Sequence, residues 1–171
     1  VGLLVWDEAN VESHAQGYVD ASLAKNPLWQ EAILDRVNNM YQRDKNHPCV
    51  IVWSLGNECG NGVCFYNAYR FLKNRDNTRP VSYERAVLDA NTDIIGLMYP
   101  SVEYLSDYAR NRRDTRPYIM VEYCHAMGNS LGGLSDYWDT IARDPILQGG
   151  FLWDWVDQSI ILRDRVGRTW Y

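Results

Sequence analysis

Two glutamates stand directly after apolar runs. Glu58 follows Val50-Ile51-Val52-Trp53-Ser54-Leu55-Gly56-Asn57, and Glu122 follows Tyr118-Ile119-Met120-Val121. Gly56 and Gly60 flank Glu58, so the backbone there can bend and a ligand can come close. In dry surroundings a carboxyl group at such a place holds a raised pKa and can serve as a general acid; the structural alternative is a loop glutamate capping the next helix. A carboxylate that closes an apolar run, as Glu122 does, must face a site mouth or a charged partner, because unpaired burial costs several kcal/mol. Its structural alternative is a salt bridge to an arginine. His125 follows in the next loop, where a lone imidazole serves structure more often than catalysis. A third group, Glu12 and His14, lies in Asp7-Glu8-Ala9-Asn10-Val11-Glu12-Ser13-His14. Carboxylates with one imidazole suit Mg²⁺ or Mn²⁺ better than zinc, although solvated loop residues show the same spacing.

The elements that must position these groups are short apolar runs alternating with helical patterns. Leu3-Leu4-Val5-Trp6 reads as a buried strand. Asn26-Pro27 reads as a helix cap followed by proline at the first helical position. Trp29, Ile33, Val37, Met40 and Tyr41 then recur at helical spacing, which predicts a helix over 27–43. Val50-Ile51-Val52-Trp53 is a second strand, followed by a helix near 65–74 with Phe65, Tyr69 and Leu72 on one face. Val81-Ser82-Tyr83 and Asp93-Ile94-Ile95-Gly96-Leu97 are a third and a fourth strand. A helix near 102–111 leads to a fifth, Tyr118-Ile119-Met120-Val121, and a helix near 133–143 to a sixth, Phe151-Leu152-Trp153.

Continuous apolar strands alternating with helices imply an α/β fold with a parallel sheet covered by helices. An open doubly wound sheet and a (β/α)8 barrel both fit. Polar residues end four of the runs: Asp7-Glu8, Asn57-Glu58, Glu122 and Asp154. Functional groups at the C-terminal ends of several strands favour the TIM barrel. Six strands are visible where the fold has eight, and 171 residues fall short of the ~250 typical of it. The expectation is therefore a partial TIM barrel over 1–171, lacking two strands. Two carboxylates at one barrel mouth are what glycoside hydrolysis requires, one protonating the leaving oxygen and the other attacking the anomeric carbon or activating water.

Composition adds bounds. Seven Trp and twelve Tyr build a core, and aromatic faces also stack on sugars. A net charge of −5 without a basic cluster argues against nucleic acid and anionic membrane as partners. No apolar run approaches the ~20 residues that span a bilayer. Cys49, Cys59, Cys64 and Cys124 form no Cys-x-x-Cys pair, which argues against a zinc or disulfide framework. A reducing, cytoplasmic setting is favoured over a periplasmic or secreted one.

Taken together the motifs resemble the β-galactosidases of glycoside hydrolase family 2. The run from Asn46-His47-Pro48 to Asn57-Glu58 resembles their acid/base segment, and Glu122-Tyr123-Cys124-His125-Ala126-Met127-Gly128-Asn129-Ser130-Leu131-Gly132-Gly133 resembles their nucleophile segment. Gln148-Gly149-Gly150-Phe151-Leu152-Trp153-Asp154-Trp155-Val156-Asp157-Gln158 resembles the final barrel strand, and Asp7 to His14 the metal-binding loop. The resemblance implies Glu122 as nucleophile, Glu58 as acid and base, and Asn57 on the sugar 2-hydroxyl. It implies Tyr99 beside the nucleophile, His125 on galactose hydroxyls and Trp153 as an apolar floor. It places Mg²⁺ between Glu12, His14 and Glu58, and the family's Na⁺ site outside this segment. It further implies a β-galactoside substrate such as lactose or a galactose-containing glycan, and a homo-oligomeric full-length protein. Two features of the family have no counterpart here: the first two barrel strands, with their sugar-binding histidines, and the flanking β-sandwich domains.

Three other readings compete. A β-glucuronidase or β-mannosidase of the same family shares the Asn-Glu pair, but the His-Ala-Met-Gly-Asn-Ser run after Glu122 favours galactosidase. A metal-dependent hydrolase would use Glu12, His14 and His125 on an activated water. A non-catalytic sugar-binding module would keep the aromatics without needing two strand-end carboxylates.

Overall fold

The computed structural model describes residues 2–112, 114–156 and 158–170; Asp157 of the final-strand motif lies outside them. In chain order the elements are β1 (Val5–Glu8), α1 (Gln30–Asp44), β2 (Val50–Ser54), α2 (Val63–Arg75), β3 (Val81–Ser82), α3 (Val102–Arg110), β4 (Tyr118–Tyr123), α4 (Leu134–Ile141), β5 (Leu147–Leu152), β6 (Leu162–Arg163) and β7 (Thr169–Trp170). Two of the helical starts, those leading into α1 and α3, are capped by a side chain. The Asn26 side chain accepts from Leu28 N at 3.0 Å, and Pro27 opens a 3₁₀ turn, Pro27–Trp29, that runs into α1. The Ser101 hydroxyl accepts from Tyr104 N at 3.2 Å and caps α3. Along α1 the buried Ile33, Val37 and Met40 face the sheet, whereas Trp29, expected in that stripe, is 45% exposed because it belongs to the 3₁₀ turn.

The sheet is a single parallel row. β1 pairs with β2 and β2 with β3; β4 pairs with β5. The two groups are joined through residues 94–98 by single bridges, Ser82 to Ile94, Ile95 to Tyr118 and Met98 to Glu122. The fourth expected strand is thus present as bridging chain rather than as a regular ladder. Gly96 explains its closeness to β4: a Cβ there would lie 2.7 Å from the Ile119 carbonyl oxygen. The first strand begins two residues later than expected. Leu3 and Leu4 are 75% and 70% exposed, since pairing with β2 starts only at Val5, whose N–H donates to Cys49 O at 2.7 Å. The row curls enough for Trp6 of β1 to meet Phe151 of β5 edge-on, with ring centroids 5.2 Å apart. The outer strands β1 and β5 share no ladder among the described residues, so the curl is open. The hairpin β6–β7, which hydrophobic patterning did not disclose, follows β5.

Two apolar cores lie under this row. The first packs α1 and α2 on β2 and β3, around Val37, Trp53, Phe65, Leu72 and Tyr83. The second packs around Ile95, Leu105, Tyr118, Met120 and Tyr123. Between them, polar contacts form the joint. The Asp93 carboxylate accepts from Tyr69 OH at 2.6 Å, Lys73 Nζ at 2.9 Å and Val81 N at 2.8 Å. The Arg116 guanidinium donates to the carbonyls of Leu88, Asp89 and Thr92 at 2.9, 2.7 and 2.7 Å.

Burial alone would push the Asp93 carboxyl up, but the hydrogen bonds from Tyr69, Val81 and Lys73 outweigh it and hold it below the usual carboxylate range. Its contribution to stability is therefore complete above the ordinary aspartate pKa of about 4 and is lost as pH falls through the lower folded value. Asp93→Ala is expected to lower the unfolding free energy by about 2 kcal/mol at neutral pH, since Val81 N–H and the Tyr69 hydroxyl lose their acceptor. Urea unfolding at pH 7 and near pH 2 checks this: the difference between parent and variant should shrink in acid, and an equal difference at both values would contradict it.

Candidate active site

The C-terminal ends of the parallel strands all open on the same side, and the chain leaves each strand there with a polar residue. Past β2, Leu55 N still donates to Ser82 O at 3.1 Å, and Asn57 N donates to Val11 O at 2.8 Å. That last bond brings the Glu12 loop against the Asn57 turn, and Glu12 and Asn57 form an isolated parallel bridge. Gly56 permits it, with φ of 144° and no room for a side chain: a Cβ would sit 2.5 Å from the Val11 oxygen. Glu58 then adopts φ of 47°, a left-handed conformation costing about 1–3 kcal/mol for such a residue.

Four groups surround Glu58, whose side chain is only 14% exposed. His14 Nδ1 lies 2.5 Å from its Oε2, to which the Tyr18 hydroxyl also donates at 3.1 Å. Arg85 Nη2 lies 3.4 Å from its Oε1. Its main-chain N–H donates to Glu84 Oε1 at 2.7 Å. Glu12 stands one step out, its Oε1 3.8 Å from His14 Nδ1. Glu12, His14 and Glu58 each present one ligand atom, and these lie within 4.8 Å of one another. Two carboxylates and one imidazole converging at that spacing fit a hard divalent cation.

Glu122 is the penultimate residue of β4. Tyr99, from the chain after the 94–98 segment, turns back at φ of 50° and donates its N–H to Glu122 O at 2.8 Å. Its hydroxyl donates to Glu122 Oε2 at 2.5 Å. Burial raises the Glu122 pKa; the Tyr99 hydrogen bond opposes this, and the negative charge of Glu58 adds to it. The two carboxylates therefore share one electrostatic environment. The Tyr99 phenol is itself pushed up, by burial first and then by its bond to Glu122, so it stays a donor.

Beside Asn57 and Glu122 lies a cavity of about 340 Å³, lined also by Trp6, Glu12, Glu84 and Trp153 among others. Trp153 also borders an adjoining cavity of about 350 Å³ that contains His125, whose ring lies 5.9 Å from that of Tyr99. All eight residues singled out in the sequence thus gather at one end of the sheet, with His125 to the side of the main cavity. Four neighbours escaped sequence reasoning. Glu8 was seen as part of a polar strand end but not as a cavity residue; it accepts from Ser54 Oγ at 2.7 Å, and burial raises its pKa. Glu84 is 5% exposed and burial pushes its carboxyl up to about 7. Arg85 stacks 3.9 Å over the Tyr18 ring. Glu84 directly follows the strand Val81-Ser82-Tyr83, so the strand-end rule that found Glu58 also points to it.

This architecture matches known proteins. The whole chain, residues 1–171, matches the family model described as "Glycosyl hydrolases family 2, TIM barrel domain", and the chain belongs to that family. It is 46% identical over 183 residues to a beta-galactosidase of Enterobacter cloacae and 43% identical over 182 residues to one of Pectobacterium atrosepticum. Each match covers 99% of the chain but only 18% and 17% of the relative, so the chain spans less than a fifth of the length of these curated relatives. Among solved structures, a beta-galacturonidase of Eisenbergiella tayi bound to galacturonate superposes with a TM-score of 0.66 at 17% identity, over 89% of this chain and 33% of that one. A family 2 member from Bacteroides cellulosilyticus gives 0.59 at 27% identity, over 74% of this chain and 18% of that one. The fold is accordingly that of a TIM-barrel fragment.

Gly56→Ala tests the turn that delivers Asn57 and Glu58. Both the disallowed φ and the contact with Val11 O predict a loss of about 2 kcal/mol in stability, read by urea or thermal unfolding. An unchanged midpoint would show that the turn does not depend on that close approach.

Proposed function

We propose that this chain carries the reacting carboxylates of a retaining β-galactosidase acting on terminal non-reducing β-D-galactosides. It would be the last six strands of an eight-stranded barrel, whose first two strands would fill the gap between β5 and β1. The observation that carries the reading is the pair Glu58 and Glu122, both at the C-terminal end of the sheet, where Glu122 lines the cavity of about 340 Å³, in a chain 43–46% identical to proteins named beta-galactosidase. Five acidic residues, Glu8, Glu12, Glu84, Glu122 and Asp154, line that cavity. Such a wall repels a uronate carboxylate and favours a neutral sugar.

In the proposed reaction a carboxylate oxygen of Glu122 attacks the anomeric carbon. The bond from that carbon to the glycosidic oxygen breaks, and Glu58 gives its proton to the departing oxygen. Glu58, now ionised, takes a proton from water; the water oxygen bonds to the anomeric carbon and Glu122 leaves with its electron pair. Both displacements invert, so configuration is retained. The Tyr99 hydroxyl holds one Glu122 oxygen and leaves the other for attack. Asn57 would bond the 2-hydroxyl, a contact that strengthens as charge develops at the anomeric centre. Trp153 would lie under the apolar face of the sugar, with His125 reaching its hydroxyls from the side. Glu12, His14 and Glu58 would hold Mg²⁺, which supplies positive charge beside the acid/base. The substrate would be lactose or a galactose-containing glycan, and the full-length protein a homo-oligomer.

Two outcomes are expected of the full-length protein. A 2-fluoro-galactoside with a good leaving group should leave a galactosyl adduct on Glu122, located by peptide mass spectrometry, and Glu122→Gln should abolish turnover; an adduct elsewhere would remove Glu122 as nucleophile. Glu58→Ala should lower kcat/KM on lactose by about 10²–10⁴-fold while sparing dinitrophenyl galactoside, whose leaving group needs little protonation. Equal losses on both would count against Glu58 as the acid.

A further inference from the structure

The reading of Glu58 as acid/base leaves open what fixes its orientation, and on that reading we infer that Glu84 is the positioning residue, acting through the Glu58 main-chain N–H. Regular pairing of β2 with β3 ends before Glu58: the last ladder bond in that direction is Leu55 N to Ser82 O. Past it the chain enters the left-handed turn at Glu58, where its N–H would have no carbonyl to meet. Glu84 Oε1 takes it at 2.7 Å.

Glu84 is built for this. It opens the 3₁₀ turn Glu84–Ala86 immediately after β3, and it is 5% exposed. Only Oε1 of this buried carboxylate is hydrogen-bonded; Oε2, like Arg85 Nε opposite it, is buried without a hydrogen-bond partner among the described residues, so the Glu58 N–H is its one main hold. Its neighbours lie around Glu58. One oxygen holds the Glu58 N–H. The other lies 3.4 Å from Arg85 Nε, and the far end of the same guanidinium lies 3.4 Å from Glu58 Oε1. Arg85 is in turn stacked on Tyr18, whose hydroxyl holds Glu58 Oε2. The main chain and the carboxyl group of Glu58 are thus fixed from one neighbouring turn. Proton transfer requires hydrogen-bond reach to the leaving oxygen, so a shift of about 1 Å at Glu58 is enough to cost about 10²-fold.

Two variants of the full-length enzyme separate position from charge. Glu84→Asp keeps the charge and withdraws the acceptor by one methylene. Glu84→Gln keeps the acceptor and removes the charge. Glu84→Asp is expected to lower kcat/KM on lactose by about 10²-fold and on dinitrophenyl galactoside by less than about tenfold. Glu84→Gln is expected to recover most of that difference. Equal losses on both substrates would reduce Glu84 to a packing residue, and a leaving-group effect in Glu84→Gln as large as in Glu84→Asp would assign the role to its charge; either overturns the inference, as does the absence of any effect. Glu58→Ala in the same assays keeps the two levels apart. Without a leaving-group effect there, the acid/base reading itself fails; with one there and none in Glu84→Asp, only the role of Glu84 fails.

Discussion

The site hangs on two main-chain hydrogen bonds made just beyond the regular ladders, Asn57 N to Val11 O and Tyr99 N to Glu122 O. Each carries the parallel register one step past the strand, to where side chains are released from the pleat and can face the cavity. Each also ends in a backbone conformation that sheets do not supply: Glu58 and Tyr99 both follow at positive φ. Strain of that kind persists only where the surroundings over-determine it. Here the first turn is held by the close approach of Gly56 to Val11 and by Glu84. The second is held by the double attachment of Tyr99 to Glu122 through N–H and hydroxyl.

Much of this was legible in the sequence for a simple reason. A parallel sheet buried on both faces writes its strands as unbroken apolar runs, and the residue that ends each run is already at the mouth. Val50 to Trp53 and Tyr118 to Val121 read that way, and with them Glu58 and Glu122, and the strands extend to Ser54 and Tyr123. The helices showed through their stripes, as Ile33, Val37 and Met40 show in α1. The 94–98 segment was visible as apolar chain, but its reduction to single bridges depends on Gly96 lying against Ile119, which no local pattern encodes. Tyr18 stayed hidden because it meets Glu58 from a loop 40 positions away. Glu84 is legible from its place after Val81-Ser82-Tyr83, but its contact with Glu58 is not, because the partner is a backbone N–H, which has no signature in residue types.

The remaining edges of the sheet tell of what the row does not finish. Trp6 and Phe151 bring β1 and β5 within ring contact, yet no ladder joins them among the described residues. The chain after β5 also exposes apolar side chains, Trp155, Val156, Ile160 and Ile161. In a barrel every strand has two neighbours, and open parallel edges with apolar flanks are what further strands of the same barrel would satisfy.

The two catalytic candidates belong to different cores. Glu58 rides on the first, through β2 and Cys59, and Glu122 on the second, through β4. What ties them is the joint at Asp93, Arg116 and the bridges of Ser82 and Ile94. The spacing of the two carboxylates is therefore a property of the seam between two packed blocks rather than of either block. A hinge of a few degrees there would translate into a change of carboxylate spacing, and spacing is what separates direct nucleophilic attack from attack by an interposed water. On this architecture, stereochemical outcome is a quantity that residues far from the sugar can tune.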